Sequence, residues 1–120
     1  MIDREALVEM FENIADQGEW DMSKPMLWGY FFTNSDQDAL RDAVPALQGD
    51  QYELVDIYQS EKDDPTDEDL WWLHVQRVEV HTVDTLAARN ERLSEFAIRH
   101  GIDAYDGMDV GPAPTIARPA

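Results

Sequence analysis

Three histidines, His74, His81 and His100, are the first side chains in this chain to test for chemistry. A zinc site draws on His, Cys and carboxylate ligands at short, regular spacings. No HxH or HExxH occurs, the chain has no cysteine, and His74 and His81 fall on opposite strand parities. No metal ligand is expected from them; one satisfied core histidine and two surface ones is the simpler reading. The serines at 23, 35, 60 and 94 have no histidine close by in sequence, and no Gly-x-Ser-x-Gly elbow exists. The six glycines form neither GxGxxG nor GxxxxGK[ST], so no nucleotide cofactor is expected. Carboxylates are so abundant, at 26 Asp and Glu, that any one pair is uninformative for acid–base catalysis. Asp103 and Asp106 flank Tyr105, but on opposite parities. The segment 63–69, DDPTDED, lacks the glycine and terminal glutamate of an EF-hand loop. The expectation is a protein with no catalytic residues and no cofactor, not an enzyme.

Charge then narrows the partners. Against 26 acids stand 9 Lys and Arg, for a net charge of -17. Such a surface repels nucleic acid and anionic lipid and attracts basic proteins. An acid-rich, salt-adapted proteome would produce the same balance without any partner. The acid is clustered: residues 1–22 carry seven acids and one base, and residues 61–69 carry six acids and one lysine. Residues 83–100 carry three of each. No apolar run reaches the ~20 residues a membrane span needs. The start, MIDREALVEM, has neither the basic nor the apolar region of a secretory signal. Together with the missing cysteines, this fits a cytoplasmic location.

The elements that must position any site follow from periodicity. Leu7, Met10, Phe11 and Ile14 mark one face of a helix over 3–18, stopped at Gly18. Residues 26–33, MLWGYFFT, read as a strand with apolar side chains on both faces. Such a strand is central, with cover on both sides or cover on one and a binding surface on the other. Gly29 inside it suggests a bulge or a close approach. Ser35 is the expected cap of a helix over 36–48, with Leu40, Val44 and Leu47 inward and Pro45 inside. Residues 51–60 and 70–82 alternate as strands. Leu73 and Val75 share one parity and Val78 and Val80 the other, which predicts a bulge near Gln76-Arg77. The acidic segment between these strands is the tip of a hairpin. Thr82 caps a helix over 83–100, with Leu86, Leu93, Phe96 and Ala97 inward and Asn90 among them. His100-Gly101 ends that helix. Residues 102–106 read as a short last strand that closes in a turn at Asp106-Gly107. The aromatics Trp28, Tyr30, Phe32, Trp71 and Trp72 have no basic field beside them, so they are core or a protein-docking patch. The order predicts an α+β, ferredoxin-like βαββαβ antiparallel sheet with an additional N-terminal helix. Residues 1–112 are expected to form one domain, and 113–120, rich in Pro and Ala, a flexible tail.

The strand ending FFTNSDQDALRDAV, the strand LWWLHVQRVEV and the helix-to-strand segment LSEFAIRHGIDAYDGMDVG resemble the RraB family, the regulators of ribonuclease E activity B. The most telling piece is Phe96-Ala97, then Gly101, then Tyr105-Asp106-Gly107-Met108, where the family usually has Trp in place of Met108. The resemblance covers roughly 5–112. It implies a ferredoxin-like fold and an acidic cytoplasmic protein that binds a protein partner and has no catalytic residues. In the founding members that partner is endoribonuclease E, and binding lowers RNA cleavage. Tyr105, Asp106 and Gly107 carry over as the family's signature corner.

The expected function is therefore that of an acidic protein-binding regulator that inhibits a ribonuclease, of the ribonuclease E type, by docking on a basic protein surface. The candidate partner-binding residues are Asp63, Asp64, Asp67, Glu68, Asp69 and Trp71. A DNA mimic or immunity-type inhibitor is the alternative, and it needs ordered carboxylates on a rigid face. An enzyme or small-ligand domain would need a polar pocket under the sheet aromatics.

Overall fold

The computed structural model describes residues 4–18, 20–60, 66 and 69–112. Helix α1 spans Arg4–Gln17 and buries Leu7 and Ile14, with Met10 and Phe11 half-buried against the core. Gly18 stops it at φ 67°, a left-handed conformation that glycine adopts without a Cβ clash. Strand β1 is Met26–Asn34. Helix α2 is Gln37–Gly49, with Pro45 in its interior. Its cap is Asp36 and not Ser35. The Asp36 carboxylate accepts a 2.9 Å hydrogen bond from the Asp38 amide, while the Ser35 amide donates to Asp103 Oδ2, also at 2.9 Å. Ser35 is thus tied to the approach of the last strand, and the capping task passes to the next residue.

Strands β2, Glu53–Gln59, and β3, Trp71–Glu79, form an antiparallel pair. Helix α3 is Val83–Arg99. Thr82 caps it as expected, in a reciprocal pair with Thr85, and Gly101 at φ 68° follows its end. Strand β4 is Ala104–Pro112. Among the described residues, four strands make one antiparallel sheet in the order β2-β3-β1-β4 and three helices accompany it, an α+β architecture. Among the described residues no helix is long and apolar enough to cross a membrane.

The core lies on one face of the sheet. Trp28, Tyr30 and Phe32 of β1 are 0% exposed and share that face with Leu73 and Val75 of β3. Leu40 and Leu47 of α2 and Leu86, Leu93 and Phe96 of α3 close over them. Each fully buried side chain of this size contributes roughly 1.5–3 kcal/mol, so β1 is the main apolar anchor of the sheet.

Two expectations about strand register are corrected. β3 pairs with β1 without interruption from Met26↔Glu79 to Asn34↔Trp71, so no bulge lies at Gln76-Arg77. Val78 and Val80 are simply exposed, at 50% and 47%, and mark no change of phase. The register break lies across the ladder in β2, between Leu54 and Asp56. That extra residue puts Leu54 and Ile57 opposite Val75 and Leu73, and Asp56 and Tyr58 opposite His74 and Trp72. The second correction concerns the last strand. It does not close at Asp106-Gly107 but runs on to Pro112, with the irregularity absorbed where Phe32 pairs Tyr105 and Phe31 pairs Gly107. Asp106 is the extra residue of a bulge inside β4.

Candidate functional site

The face of β1 opposite the core carries Leu27, Gly29, Phe31 and Thr33, by strand alternation. Phe31 pairs with His74 on one side and Gly107 on the other, and Trp72 lies opposite Tyr58. The rings form a continuous run across three strands. Tyr58 and Trp72 are parallel within 3° at a centroid distance of 6.3 Å. Trp72 meets Phe31 edge-on at 6.3 Å, and Phe31 stacks on His74 at 4.3 Å. Beside the rings is a shallow depression of about 340 Å³, bordered by Phe31, Tyr58, Trp72, Asp106, Gly107 and Met108.

Two glycines shape this surface. Gly107 has φ 138°, a region hostile to side chains, so its place in the depression stays bare. At Gly29 a Cβ would stand 2.8 Å from His74 Nε2 and also collide with Asp109 Oδ1. The close approach expected at Gly29 is made by these two side chains and not by another backbone.

Three acids reach this surface: Asp56 lies opposite His74, Asp106 borders the depression, and Asp109 approaches Gly29 beside His74. The Tyr58 hydroxyl is pushed up, first by burial and then by Asp56, Asp106 and Asp109. The His74 imidazole is pushed down by burial, against the opposing pull of Asp109 and Asp56. Three carboxylates from two edge strands therefore surround one aromatic cluster. Aromatic faces and carboxylates together receive a guanidinium or ammonium group, by cation–π attraction and charge-assisted hydrogen bonds. The same carboxylates repel phosphate.

On the covered face lies a second polar group, and it is internally satisfied. Tyr30 donates to Glu79 Oε2, which also lies 3.0 Å from His81 Nε2. Arg89 donates to Glu79 Oε1 at 2.9 Å and to the Tyr52 hydroxyl. His81 Nδ1 lies 3.0 Å from Thr85 Oγ1. Burial raises the Tyr30 hydroxyl further out of reach, reinforced by its bond to Glu79. Burial alone would raise Glu79, but bonds to His81 and Tyr30 and the charge of Arg89 outweigh it and hold the carboxyl below its usual range. A carboxylate locked among Tyr30, His81 and Arg89 is a structural tie. Among the described residues no group of three His, Asp or Glu could hold a metal ion.

The signature corner divides between the two faces. Tyr105 packs on Phe32 at 5.3 Å between ring centroids and donates to Asn90 Oδ1 at 2.6 Å, on the covered face. Asp106 and Gly107 border the open depression. Asn90, which sequence placed on the apolar stripe of α3, is 1% exposed and is the partner of Tyr105. Of the candidate partner-binding residues, Asp63, Asp64, Asp67 and Glu68 lie outside the described residues. Asp69 is exposed and accepts from Gln59 at 2.8 Å. Trp71 is half-buried against the core, whereas its neighbour Trp72 belongs to the open aromatic run. Phe31, Tyr58, Asp56 and Asp109 carry no motif that would select them. The alternation of β1 left open either cover on both faces or a binding surface on one, and it named none of these residues.

No curated protein matches the chain in a direct sequence comparison. The family model described as RraB, regulator of ribonuclease activity B, matches residues 4–110. That span runs from the first residue of α1 into β4 and includes both faces of the sheet and the Tyr105-Asp106-Gly107 corner. The chain belongs to the RraB family, the regulators of ribonuclease activity B.

Proposed function

We propose that this protein regulates a ribonuclease, of the ribonuclease E type, by docking its open sheet face on a basic surface of the enzyme, and that it acts as an inhibitor without chemistry of its own. The observation that carries this reading is the run Tyr58–Trp72–Phe31–His74 ringed by Asp56, Asp106 and Asp109. Aromatic rings and carboxylates on rigid strands suit arginine and lysine side chains. The net charge of -17 steers a basic partner toward this face and keeps RNA away from it. The same reading takes residues 1–112 as one domain with a tail, working in the cytoplasm. It also takes the order β2-β3-β1-β4, with a helix in each of its two crossovers, as the ferredoxin-like plan. The acidic segment 61–69 would speed association.

A second reading has its own support. Asp56, Asp106 and Asp109 stand on strands and not on a loop, as a nucleic-acid mimic requires. A mimic would occupy the enzyme's RNA channel and compete with substrate, whereas docking elsewhere would not.

Binding to a purified ribonuclease E-type enzyme, with cleavage of a model RNA followed in parallel, tests the proposal. Asp56→Asn with Asp109→Asn, and Trp72→Ala separately, should weaken binding and relieve inhibition while the fold is retained. Unchanged binding by both variants would reject the sheet face as the docking surface. Inhibition overcome by excess RNA would favour the mimic.

A further inference from the structure

Four of the nine basic residues in this acidic chain line a single cavity of about 310 Å³. They are Arg77 of β3 and Arg89, Arg92 and Arg99 of α3, and the cavity faces away from the aromatic run, between α3 and the connection from α2 to β2. On α3 the spacing 89, 92, 96, 99 keeps three arginines and Phe96 on one stripe. Solvation does not require this convergence, because separated arginines would solvate as well and repel one another less.

The four fall into two pairs. Arg77 and Arg89 are anchored. Arg89 is tied to Glu79 and the Tyr52 hydroxyl, with its side chain 15% exposed. Arg77 donates to the Asp50 carbonyl at 3.1 Å. Each guanidinium carbon lies 5.6 Å from the centre of the Tyr52 ring. Arg92 and Arg99, by contrast, are exposed and make no hydrogen bond or ion pair with a described residue. Glu95 lies within helical reach of both, yet it pairs with neither. The helix dipole accounts for the charge of Arg99 in the last turn of α3 but not for its place on this cavity. Counting Asp50 on the wall and Glu79 behind it, the site keeps two net positive charges in a chain of net charge -17.

We infer that this cavity binds a small organic phosphate, its phosphate held by Arg92 and Arg99 at the mouth and its organic part against Tyr52 and Phe96. Guanidinium forks match phosphate oxygens two at a time, and the anchored pair supplies background field without having to move. The volume is at the lower end for small-molecule sites and fits a mononucleotide-sized compound better than a polymer. The inference is independent of docking by the sheet face, because it uses different residues on the other side of the sheet.

Titration of the full chain with inorganic pyrophosphate, adenosine monophosphate and citrate, followed by backbone amide NMR, tests it. Pyrophosphate and the mononucleotide should shift amides around Gln51, Tyr52, Arg92 and Arg99 saturably, and citrate only weakly. Arg92→Gln with Arg99→Gln should weaken binding about tenfold or more, since a hydrogen bond to a charged group contributes roughly 1.5–3 kcal/mol. Arg41→Gln, which removes one positive charge on α2 away from the cavity, should leave binding unchanged. Three outcomes would overturn the inference: no saturable shifts at millimolar phosphate, equal weakening by Arg41→Gln, or citrate binding more tightly than pyrophosphate.

Discussion

Phe31 and His74 sit directly opposite each other on β1 and β3, and their rings stack at 4.3 Å with planes 21° apart. This pair links the aromatic run to the acids, because His74 is also where Asp56 and Asp109 are felt. The stack covers much of the imidazole and removes water from it. That loss exceeds the attraction of the two carboxylates, so folding lowers the His74 pKa from its ordinary 6.5.

The pH dependence follows. Between the folded value and 6.5 the unfolded chain binds more protons, so stability rises with pH there. The contribution is full above pH 6.5 and declines as pH falls toward the folded value. Urea unfolding on either side of pH 6.5 should show wild type losing more stability on acidification than His74→Gln. Equal losses would mean that the imidazole is as well hydrated folded as unfolded.

Glu79 should be the costliest single polar residue to remove. Its side chain is 11% exposed and it joins Tyr30, His81 and Arg89. Glu79→Ala leaves a guanidinium that is itself largely buried without its carboxylate, which costs about 3–5 kcal/mol for a buried pair. Because the folded-state carboxyl is held below 4.5, its stabilisation is present above that pH and is lost as pH falls through the folded value. Chemical denaturation at neutral pH checks the magnitude, and an acid series comparing wild type with the variant checks the direction.

The Tyr105–Asn90 bond has an asymmetric cost. Asn90 Nδ2 is already without a partner among the described residues, and Tyr105 serves Oδ1. Tyr105→Phe would leave the buried amide with neither atom bonded, at about 1–3 kcal/mol. Adding Asn90→Leu should restore most of that loss, since the orphaned polar group goes with it. A double-mutant cycle by thermal unfolding reads both numbers.

Gly107→Val is expected to destabilise by about 1–3 kcal/mol, the range for a strained backbone site. Gly107 is buried at φ 138°, inside β4. The loss should appear as a lower unfolding midpoint even if partner binding is unchanged. Unaltered stability with lost binding would instead make the glycine a contact position.

What the sequence by itself determined was local. The apolar spacing of Leu7–Ile14, Leu40–Leu47 and Leu86–Ala97, with Thr82, Gly18 and Gly101 at the ends, was enough to place three helices, because helix signals repeat within a few residues of chain. The apolar run of β1 on both faces likewise announced a central strand. The tertiary structure decided what depends on residues far apart. Strand parity names two faces, but only helix packing selects Trp28, Tyr30 and Phe32 for the core and leaves Phe31 beside His74. A bulge shifts every later side chain to the other face, so moving the break from β3 to β2 turned Tyr58 toward Trp72 and Ile57 toward the core. The four arginines show the same limit. Their charges are plain in the sequence, but Arg77 joins Arg89, Arg92 and Arg99 only because folding brings the end of β3 to α3, where Arg89 pairs with Glu79, and a contact across that separation has no signature along the chain.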